Sequence, residues 1–170
     1  DLVIGFSDLQ ADIARELARA GLNVLIFNQR SVDEILSMIL TLSSLVGAAD
    51  RGLALIRQLE EGLARIREQA KVFPRRPRVY FEEWDEPMIS GIRWVSELID
   101  VAGGEDVFSQ QSRSQAAAGR IIKDPNEVVA RQPEVIFGSW CGKKFRPERV
   151  AARPGWQQIS AVKESQLFEI

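Results

Sequence analysis

From Ala48 to Val72 the chain carries a single apolar stripe of Leu55, Leu59, Leu63, Ile66 and Ala70, with charged residues opposite, and this run constrains the fold more than any other feature. Spacings of three and four residues define one face of a helix. Gly47 interrupts the pattern on one side, and Pro74-Arg-Arg-Pro77 closes it on the other, because proline cannot continue the hydrogen-bond ladder. A helix of roughly 25 residues, rising about 1.5 Å per residue, extends about 37 Å and is long enough to join two lobes. The stripe is too short for the repeated heptads of a coiled coil, and both flanks read as alternating strands and helices.

Upstream, Asp1-Leu-Val-Ile-Gly-Phe6 is an apolar run without a preceding turn or cap, and it reads as a strand entered part-way through a domain. Ser7 with Gln10 three residues on forms a capping-box pattern for a helix through Ala20, which Gly21 ends. Asn23-Val-Leu-Ile-Phe27 reads as a second buried strand, so strand, helix and strand predict a right-handed parallel crossover. Ser31-Val-Asp-Glu34 is another capping box, followed at helical spacing by Ile35, Met38, Ile39, Leu42, Leu45 and Val46.

Downstream, Arg78-Val-Tyr-Phe-Glu82 reads as a strand and Ile92 to Val101 as a helix stopped by Gly103-Gly104. A polar loop around Ser109 to Ala118 precedes a helix that Asp124 caps, with Pro125 in its first turn and Glu127 at the third position. Glu134 to Gly138 is a strand, Pro147 to Ala152 a short helix, and Gln166 to Ile170 a last strand. The expected organisation is residues 1–47 as the remainder of an N-terminal lobe, 48–73 as a linking helix and 74–170 as a C-terminal α/β lobe.

Composition removes several classes of function. With 22 basic against 24 acidic side chains the net charge is -2, which gives no pull toward nucleic acid, so no nucleic-acid partner is expected. No apolar run reaches the roughly 18 to 20 uncharged residues of a membrane span; the one candidate, Ile35 to Ala49, is too short. Histidine is absent and Cys141 is the only cysteine, so an internal disulfide, a zinc site of several His or Cys ligands and a histidine charge relay are all excluded. No metal site, cofactor or catalytic residue is expected.

In open parallel sheets, ligands gather beyond the carboxyl ends of the strands. The loops there are Phe6 to Gln10, Asn28 to Arg30, Glu83 to Pro87 and Ser139 to Lys144. They place Phe6, Trp84 and Trp140 beside charged residues, an aromatic wall suited to a bulky organic ligand; the alternative is that Trp84 and Trp140 plug the end of the core. The acidic run Glu82, Glu83, Asp85 and Glu86 reads as a solvated loop, with a hard-cation site or an acid–base pair as alternatives. Cys141 lies near Lys143 and Lys144 but lacks a histidine to take its proton, and Lys143, Lys144 and Arg146 form an anion contact or a solvated turn. Arg120 offers a bidentate fork to a carboxylate or phosphate. Gly5, Gly103 and Gly104 form no dinucleotide fingerprint, and there is no Walker loop.

The order of these segments resembles the substrate-binding proteins of ABC importers for cobalamin and ferric siderophores. Asp1 to Phe6 resembles a strand leading into a ligand-contacting loop, Ser31 to Val46 the segment after the next strand, and Ala48 to Val72 the interlobe helix. Arg78 to Pro87 is similar to the first C-lobe strand with its pocket loop. Trp94 to Phe108 is similar to the helix, double glycine and aromatic that follow, and Asp124 to Phe137 to a C-lobe helix and strand.

The resemblance implies an α/β fold of two Rossmann-like lobes with parallel sheets joined by one long α-helix, the N-lobe incomplete. It implies a ligand, cobalamin or a ferric chelate such as a siderophore or haem, held between lobes and facing Phe6, Trp84, Arg120 and Trp140, without catalysis. The partners implied are ABC transporter permease subunits, docked through Glu127, which neighbours the matching position held by Asn126. The location implied is the periplasm, or the cell exterior on a lipid anchor. The resemblance also implies a fragment lacking the start of the N-lobe and the last C-lobe helix, whose cut sheet edge would pair with a second copy. A nitrogenase-like cofactor-binding enzyme subunit and a non-catalytic scaffold are the alternatives; the first needs cluster-ligating cysteines, and the chain has one cysteine.

Overall fold

A computed structural model describes residues 2–170, so the strand start expected at Asp1 lies outside the described residues. The chain divides into two compact units, one ending at Leu59 and one running from Glu60 to Ile170.

In the first unit, β1 (Leu2–Phe6) and β2 (Asn23–Phe27) pair in parallel with Leu2 opposite Asn23 and Phe6 opposite Phe27. Helix α1 (Ala11–Arg19) connects them. The expected Ser7/Gln10 box is rearranged: Ser7 N–H already donates to the Phe27 carbonyl at 2.7 Å, so the Gln10 side chain accepts from Phe6 N–H instead, at 2.6 Å. A 3₁₀ turn, Asp8–Gln10, therefore precedes the helix. The second box forms as expected and starts α2 (Val32–Leu45), with Ser31 Oγ accepting from Glu34 N–H and Glu34 Oε2 accepting from Ser31 N–H, both at 3.2 Å.

Gly47, at a φ of 71°, ends this helix in a left-handed turn, and α3 (Ala49–Ala70) follows. A Cβ at Gly52 would lie 1.9 Å from Ser43 Oγ, so α2 and α3 approach closely there. The division between units falls inside α3, which is 22 residues long, and the expected boundaries at 47 and 73 bracket it. Two strands bury little: among the described residues up to Leu59, Ser7, Ser31 and Gly52 are buried, while Leu2, Ile4 and Phe6 remain exposed.

The second unit is built on β3 (Arg78–Asp85), β4 (Met88–Ser90), β6 (Val135–Gly138) and β7 (Leu167–Glu169), in the spatial order β4-β3-β6-β7, with the short β5 (Glu105–Asp106) beside the start of β3. Strands β3, β5, β6 and β7 run parallel, and β4 is antiparallel to β3. The expected loop at Glu83 to Pro87 is therefore a hairpin: β3 runs on past Glu82 because β4 returns along it and supplies its hydrogen-bond partners. Helices α4 (Arg93–Val101), α5 (Asn126–Arg131), α6 (Pro147–Ala151) and α7 (Ser160–Lys163) complete the unit. Asp124 Oδ1 caps α5 by accepting from Asn126 N–H at 2.9 Å.

Alternation along β3 divides the core between two faces. Tyr80 packs with Phe108, Ile136, Val150 and Trp156, while Val79 and Phe81 pack with Val95 and Ile99 of α4. Tyr80 meets the rings of Phe108 and Trp156 edge-on at 5.4 and 6.1 Å. Among the described residues, no helix is long and apolar enough to cross a membrane.

Candidate functional site

The second unit gathers its chemistry where β3 and β6 end. In the parallel register Glu82 lies opposite Gly138, and beyond it Trp84 and Asp85 pair with Ile89 and Met88 of β4. The chain after β6 returns to the same end through Trp140 and Lys143.

Each carboxylate of the acidic run has a basic partner. Glu82 is fully buried and accepts two hydrogen bonds from Arg153, at 2.5 and 2.9 Å, one from Tyr80 Oη at 2.9 Å and one from Trp140 Nε1 at 3.0 Å. Burial pushes the Tyr80 hydroxyl well above its ordinary range, and the Glu82 charge adds to that shift. Burial works to lower the Arg153 guanidinium, but Glu82 outweighs it and holds the group above its usual value.

Glu83 receives a fork from Arg120, Nη1 at 2.5 Å and Nη2 at 3.1 Å. Asp85 is buried and bonds Lys143, with Arg149 at 4.0 Å; burial alone would raise its carboxyl, and Lys143 lowers it overall. Glu86 pairs with Arg149 at 3.3 Å. This corrects the solvated-loop reading: Glu82 and Asp85 lie inside, and ion pairs neutralise the run. Among the described residues, no group of acidic side chains and cysteine is arranged to hold a metal ion.

Exposure separates the four residues expected to face a ligand. Trp84 is partly exposed; its Nε1 donates to the Glu86 carbonyl at 2.8 Å, and Lys143 Nζ stands 4.2 Å from its ring centroid. Trp140 is buried, its ring edge-on to Phe145 at 5.0 Å and packed in the core cluster at the end of the sheet. Arg120 is only 3% exposed, and besides Glu83 it donates to the Ser90 carbonyl at 2.5 Å, so its fork is filled by the protein itself. These three lie in the second unit, where Glu83 links Arg120 to the strand that carries Trp84.

Phe6 belongs to the first unit and is 52% exposed. It borders a groove of about 360 Å³ lined also by Ile4, Phe27, Gln29, Met38 and Leu42. Glu127, on α5, is 42% exposed at its side chain and pairs with Arg131 at 3.7 Å. Cys141 is exposed and free. Sequence reasoning missed Arg149 and Arg153, which sit in an ordinary-looking charged helix and its exit, and it missed the particular position of Lys143. The one available signal was the surplus of basic residues between Lys143 and Arg153.

Known proteins place this architecture. An uncharacterized ABC transporter substrate-binding lipoprotein of Bacillus subtilis (strain 168) is 23% identical over 166 residues, covering 94% of this chain and 50% of that protein. The periplasmic heme-binding protein RhuT of Roseiflexus sp. RS-1, in apo form, superposes with a TM-score of 0.78 at 22% identity, covering 99% of this chain and 65% of that one. IsdE of S. aureus, complexed with heme, gives a TM-score of 0.79 at 16% identity over 99% of this chain and 66% of that one. At these identities the solved structures establish the fold. The chain spans about half the length of the curated relative it matches. The family described as Periplasmic binding protein matches from residue 1 to residue 170, and this chain belongs to that family.

Proposed function

We propose that this protein is the substrate-binding component of an ABC importer, which captures a ferric chelate, haem or cobalamin and delivers it to a membrane permease without catalysis. The observation that carries the reading is Trp84, a partly exposed indole held by its own N–H at the carboxyl end of a parallel sheet, with the Lys143 ammonium against its ring. Relatives named as heme-binding and as an ABC substrate-binding lipoprotein support it.

Phe6 and Trp84 are the side chains proposed to touch the cargo, with Trp140 and Arg120 fixing the strand ends beneath. Glu127 is proposed as the permease-docking carboxylate, and the periplasm or a lipid-anchored exterior position as the location. Among the described residues β1 pairs with β2 alone, and a second copy of the chain is a further proposed partner, to be checked by sedimentation.

Titration with ferric protoporphyrin, a ferric siderophore and cyanocobalamin, followed by tryptophan emission, tests the cargo. At least one is expected to quench, and Trp84→Ala is expected to abolish binding while the circular dichroism is unchanged. No response to any of the three overturns the reading.

A further inference from the structure

The face of Trp84 is already taken. Lys143 Nζ lies 4.2 Å from the centroid of its ring and 5.3 Å from that of Trp140, inside cation–π range of both, and it bonds the buried Asp85 carboxylate. Trp84 is held in place by its bond to the Glu86 carbonyl. Lys143, by contrast, is carried on an exposed turn after Gly142, whose φ of 74° is left-handed, and its side chain is 37% exposed. Arg149 also reaches Asp85, at 4.0 Å, so moving the lysine does not leave that carboxylate without a cation. Lys143 is thus the exposed member of the set, and Asp85 keeps a second cation within reach if the lysine shifts.

We propose that Lys143 is a specificity-determining cap on Trp84. A flat ligand stacks on the indole by displacing the ammonium, and the displaced ammonium then pairs with an anionic group on that ligand. A neutral ligand loses the cation–π contact and gains nothing for it, whereas an anion recovers the loss at short range in a partly desolvated site. The site therefore favours ring-bearing anions, carboxylate-substituted chelates above all. This rests on Trp84 as the cargo-facing residue proposed above.

The test uses ferric protoporphyrin and its dimethyl ester, which share one ring and differ in carboxylate charge, on the unaltered protein and on Lys143→Met, which keeps the stem and removes the charge. The preference for the free acid over the ester is expected to fall by about tenfold in the variant, the size of one cation–π contact or ion pair, and to return in Lys143→Arg. An unchanged preference overturns the proposal.

A second measurement needs no ligand. An ammonium over an excited indole quenches it by proton transfer, so Lys143→Met is expected to brighten tryptophan emission, and most of that gain is expected to be lost in a Trp84→Phe background, where only the more distant Trp140 ring is left to respond. A gain undiminished by Trp84→Phe overturns the cap. If the unaltered protein binds neither porphyrin nor any other probe, the cargo reading fails while the emission pair still decides whether Lys143 caps Trp84.

Discussion

Arg153 closes on the Glu82 carboxylate with two hydrogen bonds, although 71 positions separate the residues and Glu82 is fully buried. Tyr80 and Trp140 fill the remaining acceptor directions, so one carboxylate ties β3 to the chain following β6 and to the exit of α6. Removing it leaves a half-buried guanidinium, a phenol and an indole N–H unpaired. Glu82→Ala is expected to cost about 3–5 kcal/mol, against about 1 kcal/mol for Tyr80→Phe, which leaves the other three donors in place. Urea unfolding of both variants checks this, and equal losses would refute the hub.

Arg120 holds Glu83 and the Ser90 carbonyl together and thereby braces the hairpin that carries Trp84. Arg120→Met is expected to lower stability by about 1–3 kcal/mol, because Ser90 loses a buried donor. Arg120→Lys is expected to recover only part of this, since an ammonium cannot reproduce the fork. Full recovery by lysine, in thermal melts, would show that charge alone suffices.

Acid should act through Glu134. Hydrogen bonds from Arg75 and from the Arg78 backbone N–H, opposed by burial, hold this carboxyl at about 2 against an ordinary 4.5. The folded value lies below the unfolded one, so the stabilisation is complete above about pH 4.5 and disappears as pH falls through about 2. Melting temperatures recorded across that window are expected to fall less steeply for Glu134→Gln than for the unaltered protein. Parallel slopes would remove Glu134 from the account.

Gly138, at the end of β6, leaves room for the Phe145 ring: a Cβ there would lie 1.9 Å from Phe145 Cδ2. Phe145 is 1% exposed and packs against Trp140, so it has nowhere to retreat. Gly138→Ala is expected to cost about 1–3 kcal/mol through overpacking. Adding Phe145→Leu should return part of the loss, and a double variant no better than the single one would point to the backbone instead.

Much of the fold was legible because its signals are local. The Ser31/Glu34 box, the Asp124 cap, the left-handed glycines at 47 and 103 and the apolar stripe from Leu55 to Ala70 each act within a turn or two of chain, and each sits where expected. The Ser7/Gln10 box failed for a non-local reason: Phe27, on the neighbouring strand, had already claimed the Ser7 N–H.

The candidate site was legible only in outline. Aromatic residues at strand ends could be named from the sequence, but not which would be covered, because burial depends on what returns to that end of the sheet. Trp84 and Trp140 look alike in sequence, yet one is partly exposed and the other is sealed against Phe145.

By itself the sequence determined the alternation of strands and helices, the long helix and the lack of any histidine in these 170 residues, since periodicity, caps and composition are properties of neighbouring residues or of the whole count. Only the tertiary structure decided the fate of Glu82, Glu83, Asp85 and Glu86. Their partners Arg153, Arg120, Lys143 and Arg149 lie 71, 37, 58 and 63 residues away, and a charge carries no periodic mark of the partner that folding will bring to it.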